Sequence, residues 1–137
     1  MATEVRVGIA SASDIVAARQ QARAVASEIG FNGSDLTVVA TAISEIARNI
    51  VEYARVGEIV IGPTEAGDGR RGITIVARDE GPGISNTSLV LQDGFSTGKG
   101  LGLGLPGARR LMDEFDLTSE LGRGTTVTMT KWLPFDE

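Results

Sequence analysis

The run from Asp93 to Gly107 reads DGFSTGKGLGLGLPG, and six of its fifteen residues are glycine. Each glycine in an ordered segment carries an extra entropic cost of roughly 0.5–1 kcal/mol, so this density needs a physical reason. Close approach of the backbone to a polyphosphate supplies one. Amide N–H groups reach phosphate oxygens most easily where no Cβ intervenes, and a helix beginning near Leu105 would turn the positive end of its dipole toward the same anion. The spacing excludes the commoner nucleotide loops. A Walker-type loop needs four residues between its first glycine and a Gly-Lys-Ser/Thr, whereas three separate Gly94 from Gly98, and Gly100 follows Lys99. Gly102, Gly104 and Gly107 satisfy Gly-x-Gly-x-x-Gly, yet the sequence before them is polar and glycine-rich where a dinucleotide fold has a buried strand. Taken alone, the run also reads as a surface loop or a lid hinge.

A chain of 137 residues suits a single domain with one core, here residues 1–137 as a whole. It has no cysteine, which removes disulfide, zinc-thiolate and cysteine-nucleophile chemistry. It has no histidine either, so a Ser-His-Asp triad, a histidine-ligated metal and a phosphohistidine on this chain are ruled out. With 13 basic and 18 acidic residues the formal charge is −5, which argues against nucleic-acid binding through a broad basic surface. A negative chain that holds a polyphosphate needs a cation, a lysine or an arginine beside it. No apolar run approaches the length of a membrane span, and residues 1–10 are too polar and too short for a signal peptide, so the expectation is a cytoplasmic protein with no membrane role.

Residues 4–10 alternate valine and isoleucine with polar or small residues, as a strand with one buried face does. Ser11 to Asp14 then resembles a helix start, and Ile15, Val16, Ala22, Val25, Ala26 and Ile29 recur near helical spacing up to a capping Gly30. Arg19, Gln20 and Arg23 lie off that stripe and read as a solvated face. After a turn, Ser34 is placed to cap a long second helix whose apolar positions run from Leu36 through Ile43, Ala47 and Ile50 to Ala54. On another side of it Glu45, Asn49 and Glu52 form a stripe about 200° round from Ile43, either a solvated face or a functional one. Residues 58–62 and 72–77 suit two strands joined by a glycine-rich, charged hairpin loop at 63–71. Asp79 at the end of the second strand, followed by Gly81 and Gly83, sets a carboxylate beside a tight turn at the rim of a sheet; by itself it reads equally well as a turn residue. A helical pattern spans 105–115, and 116–121 and 125–133 close the chain as a strand pair around Gly122-Arg123-Gly124. The order β-α-α-β-β-loop-α-β-β predicts an α+β fold, a two-layer sandwich in which a mixed sheet is covered by helices on one face.

The order of the motifs is more specific than any one of them. Glu45 and Asn49 on a helix, Asp79-x-Gly81-x-Gly83 after a strand, the glycine run before a helix and Gly122-x-Gly124-Thr125 before the final strand resemble the N, G1, G2 and G3 boxes of the Bergerat-fold (GHKL) ATP-binding superfamily of gyrase, Hsp90, histidine kinases and MutL. The segments DIVAARQ (14–20), TAISEIARNI (41–50), DEGPGI (79–84), DGFSTGKGLGLGLPG (93–107), RLMDEFDL (110–117) and KWL (131–133) resemble, more closely, the RsbT-type switch kinases of the bacterial stressosome. This resemblance covers about residues 5–133. It implies a small Ser/Thr protein kinase that uses ATP and Mg²⁺, phosphorylates STAS-domain scaffold proteins, and then activates a metal-dependent phosphatase upstream of an alternative sigma factor.

Carried onto this sequence, the resemblance gives Asp79 the adenine amino group, with Thr125 supporting that contact, and gives Asn49 an oxygen on Mg²⁺. Gly81 and Gly83 shape the turn, and Gly98, Gly100, Gly102 and Gly104 let amides wrap the phosphates, with Lys99 as the cationic partner or as a solvated lid residue. Glu45, one helical turn before Asn49, becomes the base that orients or deprotonates a Ser/Thr hydroxyl. Histidine kinases of the superfamily often carry a lysine where this chain has Glu52, a departure that points away from a sensor-kinase fragment. Two other readings share the boxes. One is an anti-sigma, partner-sequestering module of the RsbW type. The other is an ATPase of the gyrase or MutL kind, in which Glu45 would activate water; it is weakened by the expected absence of a transducer domain after Glu137.

Overall fold

β-branched residues at every second position build a sheet whose one face is almost wholly aliphatic. A computed structural model describes residues 3–83 and 104–134. Its order is β1 (Val5–Ile9), α1 (Ala12–Ile29), α2 (Ser34–Asn49), a π-helical turn (Ile50–Ala54), β2 (Gly57–Glu65), β3 (Arg71–Asp79), α3 (Gly104–Leu111), β4 (Glu114–Glu120) and β5 (Gly124–Trp132). The strands lie side by side as β1-β2-β3-β5-β4. Register sets Val5, Ile61, Ile75, Met129 and Phe115 in one row and Val7, Ile59, Ala77, Val127 and Leu117 in the next. Ile59, Ile61, Ile75 and Met129 are fully buried. Each such side chain contributes roughly 1.5–3 kcal/mol, and a one-residue slip would turn the whole set to solvent, so the register is firmly specified.

The helices cover that face. α1 lies across β1, β2 and β3, and α2 lies against α1, α3 and β3. Val25, Ile29, Val39, Ile43 and Ile46 close one core with the sheet rows. On the opposite face Arg6, Val60, Val76, Thr128 and Asp116 share a row in which no residue is buried. The two-layer α+β arrangement with helices on one face is therefore present.

The sheet is not mixed: all four pairings are antiparallel. Two helices separate β1 from β2, so their reversals cancel and β2 returns against β1. β3 and β4 do run the same way on either side of α3, the geometry behind a mixed expectation, but β5 inserts between them and opposes both. Four boundaries also differ. The helix expected to reach Phe115 stops at Leu111, because the amide of Asp113 donates to Thr130 O at 2.9 Å and Asp113 Oδ2 accepts the amide of Trp132 at 2.7 Å, which draws the chain into the sheet. Ser34 is the first residue of α2 instead of its cap. α2 gives way at Ile50 to the π turn, where the expectation had one helix to Ala54. The β2–β3 loop shrinks to residues 66–70, closed by a 2.8 Å bond from Ala66 N to Arg70 O. The start of α1 is as expected: Asp14 Oδ2 accepts the amides of Ala10 and Ser11 at 2.8 and 3.1 Å.

Candidate nucleotide-binding and catalytic site

The aliphatic rows end in a polar one. Register aligns Ile9, Gly57, Asp79, Thr125 and Ser119, so Asp79 lies on the same face of β3 as Ile75 and Ala77, at the end of the sheet's inner surface. Its Oδ1 accepts the amide of Gly81 at 2.9 Å and that of Thr125 at 3.3 Å. Among the described residues no bond engages Oδ2, which leaves a carboxyl oxygen for an incoming N–H. Ser119 Oγ lies 2.8 Å from Thr125 Oγ1 and donates to Gly124 O at 3.0 Å, holding the threonine from the neighbouring strand.

Backbone shape makes this cradle possible. Gly124 has φ +123°, and a Cβ there would collide with the carbonyl oxygen of Asp79; at Gly83, with φ +77°, it would collide with that of Glu120. Both positions combine a left-handed conformation with contact too close for any side chain. The amide of Gly122 donates to Pro82 O at 2.9 Å, so the turn after β3 and the turn between β4 and β5 are fastened to each other. Gly81 in turn presses on Ala54 of the π turn, where a Cβ would stand 2.6 Å from the alanine Cβ.

The π turn begins right after Asn49, so the end of α2 touches the Asp79 turn through Ala54. It closes with Arg55 at φ 73°, whose amide donates to Ile50 O at 2.7 Å. Such turns often interrupt α-helices where a helix end serves a site. The expected stripe is not uniform: Glu45 is buried and Asn49 half-buried on α2, and Glu52, within the π turn, is exposed. Glu45 is one of few buried polar residues, at 8% exposure. Its Oε1 accepts the amide of Gly104 at 3.0 Å, and its Oε2 accepts Nη1 of Arg48 at 2.8 Å. Gly104 opens α3, which buries Leu105, Pro106, Gly107 and Ala108.

Of the residues expected at the site, Asp79, Gly81, Gly83 and Thr125 come together, and Asn49 stands on the helix end that adjoins them. Glu45 lies one turn earlier with Gly104, whose amide is spent on this carboxylate instead of pointing at a phosphate. Gly98, Lys99, Gly100 and Gly102 lie outside the described residues. Two residues were missed. Arg48 sits at i+3 from Glu45, a spacing that occurs on any helix face and does not single it out, and Ser119 was signalled by its place opposite Thr125 once the closing strands are paired.

A carboxylate cradle at the end of a sheet, beside the end of a helix and with backbone turns in place of a P-loop, matches the ATPase class typified by histidine kinases. Residues 9–131 match the family model described as the histidine kinase-like ATPase domain. The serine/threonine-protein kinase RsbT of Bacillus subtilis (strain 168) is 54% identical over 120 residues, which are 88% of this chain and 90% of RsbT. The chain thus belongs to the histidine kinase-like ATPase family and, within it, to the branch of the serine/threonine-protein kinase RsbT. An anti-sigma F factor of Thermoanaerobacter sp. (strain X514) is 30% identical over 123 residues, 88% of this chain and 86% of that one. Among solved structures, the RsbU and RsbW domains of a Mycobacterium tuberculosis protein share the fold with a TM-score of 0.63 at 24% identity, over 96% of this chain and 33% of that longer one.

Proposed function

We propose that this chain transfers the γ-phosphoryl group of ATP to a serine or threonine of STAS-domain proteins, working in the cytoplasm as a switch between partners, and that it afterwards activates a metal-dependent phosphatase. The observation that carries the reading is the buried carboxylate of Glu45, one helical turn before Asn49 on a helix whose end adjoins the Asp79 cradle. A buried carboxylate is costly to hold in place, and its position one turn before the proposed Mg²⁺ ligand Asn49 suits a base. Asp79 Oδ2 would accept the adenine amino group, which favours adenine because guanine presents a carbonyl at that edge. Thr125, steadied by Ser119, supports the same edge.

Mg²⁺ fits as a companion of the nucleotide. Among the described residues no group of three or more acidic side chains could hold a metal alone, so Asn49 would add one oxygen to an ion otherwise carried by phosphates and water. Bound there, the ion would supply neutralising charge to the phosphate oxygens. The chain itself would align the reactants: Asp79 and Thr125 fix the adenine, the glycines that precede Gly104 supply amides, and Glu45 takes the hydroxyl proton.

The similarity to an anti-sigma F factor favours a second reading, a partner-sequestering module of the RsbW type. Direct binding of a sigma factor, measured without acceptor, would support it. For the kinase, labelled γ-phosphate from Mg-ATP is followed onto a panel of purified STAS-domain proteins. Transfer is expected with the native chain and should fall about 10²–10⁴-fold in Glu45→Gln while ATP still binds. Equal loss of ATP binding would remove Glu45 from the base role.

A further inference from the structure

Glu45 is gripped from two sides, and the two grips differ in kind. The amide of Gly104 belongs to the first residue of α3, so that bond ties Glu45 to an element distant from it in the chain. Arg48 lies on α2 itself, one turn beyond Glu45, and its bond to Oε2 at 2.8 Å is internal to the helix. Exposure is lopsided: the arginine side chain is 37% exposed and the glutamate side chain 10%. An i,i+3 ion pair on an open helix face adds little to stability. Here one partner is withdrawn from water, so the guanidinium is a major compensation for its charge.

Geometry gives the pair a second use. The last torsion of a glutamate side chain is soft, and a single donor leaves the carboxylate free to swing about its axis. Donors on both oxygens fix its plane, and each oxygen keeps a second lone pair. We propose that Arg48 is a positioning residue of phosphotransfer: it fixes the Glu45 carboxylate so that a remaining lone pair meets the acceptor hydroxyl. The proposal rests on the reading of Glu45 as the base. In the step it serves, the hydroxyl proton passes to a Glu45 oxygen, the hydroxyl oxygen bonds to the γ-phosphorus, and the bond from that phosphorus to the β–γ bridging oxygen breaks, releasing ADP.

The test follows transfer from Mg-ATP to a purified STAS-domain acceptor, with ATP affinity measured in parallel, for the native chain, Arg48→Met, Arg48→Lys, Glu45→Gln and the double variant Glu45→Gln/Arg48→Met. Arg48→Met keeps the apolar stem and removes the donor; it should lower kcat about 10–100-fold and leave the Kd for ATP within about threefold. Arg48→Lys, which retains a donor able to reach Oε2, should recover most of that loss. In the Glu45→Gln background, Arg48→Met should change kcat no further, because both substitutions act through one carboxylate. Native kcat in Arg48→Met, no recovery in Arg48→Lys, or loss of ATP affinity in step with kcat would each overturn the positioning role while leaving the base intact. Undiminished transfer by Glu45→Gln would overturn the base reading and this proposal with it. Should Arg48→Met fail to fold by circular dichroism, the folded Arg48→Lys decides alone: near-native kcat upholds the role, and loss with ATP binding intact overturns it.

Discussion

Asp79 and Asp68 make the same local bond in different surroundings. Each accepts the amide two residues ahead on Oδ1, Asp79 from Gly81 at 2.9 Å and Asp68 from Arg70 at 3.0 Å, and they sit at opposite ends of β3, Asp79 as its last residue and Asp68 in the loop before its first. At Asp68 the guanidinium of Arg70 closes the carboxylate, with Nε 3.2 and 3.0 Å from its two oxygens, and the arginine stacks over Trp132 at 5.2 Å from the ring centre. Both oxygens are engaged and the side chain is 47% exposed. At Asp79 a second amide, from Thr125 on the neighbouring strand, shares Oδ1, and the residue is half-buried on the inner face of the sheet. The proposed ligand role of Asp79 rests on this difference: a second strand takes over the satisfaction of one oxygen and leaves the other without a bond from the described residues.

The sharpest way to break that contrast is through the strand that supplies the second amide. Gly124→Ala requires φ +123° of an alanine and drives its Cβ into the Asp79 carbonyl. Strain and overpacking together should destabilise the chain by about 2–5 kcal/mol in urea unfolding, with ATP binding lost in the fraction that stays folded. Near-native stability would mean that β5 yields easily and that the cradle is not rigid. Asp79→Asn is gentler. The amide offers a donor where either the backbone amides or the adenine amino group need an acceptor, so ATP affinity should fall about 10–100-fold by titration calorimetry while unfolding changes little. Unchanged affinity would return Asp79 to the role of a turn residue.

Much of this was legible in the sequence where one local rule decides. Glu45 and Asn49 on a helix, Asp79 at a strand end and the glycines around both turns each follow from spacing and turn chemistry. The face on which Asp79 lies was also within reach: alternation places Asp79 with Ile75 and Ala77, which are buried, and so on the inner face. What was not legible needed partners distant in the chain. The antiparallel sheet depends on β5 inserting between β3 and β4, and the early end of α3 on Asp113 finding β5. Arg48 reads as an ordinary helix-surface cation until the burial of Glu45 is known, because an i,i+3 pair looks alike on either face.

Asp68 gives the smallest effect and the strictest check on the contrast. The amide of Arg70, and then the charge of its guanidinium, hold the Asp68 carboxyl below its ordinary 3.8. A lowered folded value means that the folded chain prefers the ionised form, so the contribution is complete above the unfolded value and disappears as pH falls through the folded one. Asp68→Asn keeps an acceptor for the amide and loses only the charge; because the site is open to solvent, the loss of stability at pH 7 should be slight and should shrink further in high salt. Urea midpoints taken stepwise from pH 7 down past 3.8 should bring variant and native chain together, with ATP affinity at pH 7 equal in both. A gap that widens on acidification would reverse the sign and place Asp68 in a different environment. A fall in ATP affinity would show that the two ends of β3 are coupled, and that one turn of this kind cannot be altered without disturbing the other.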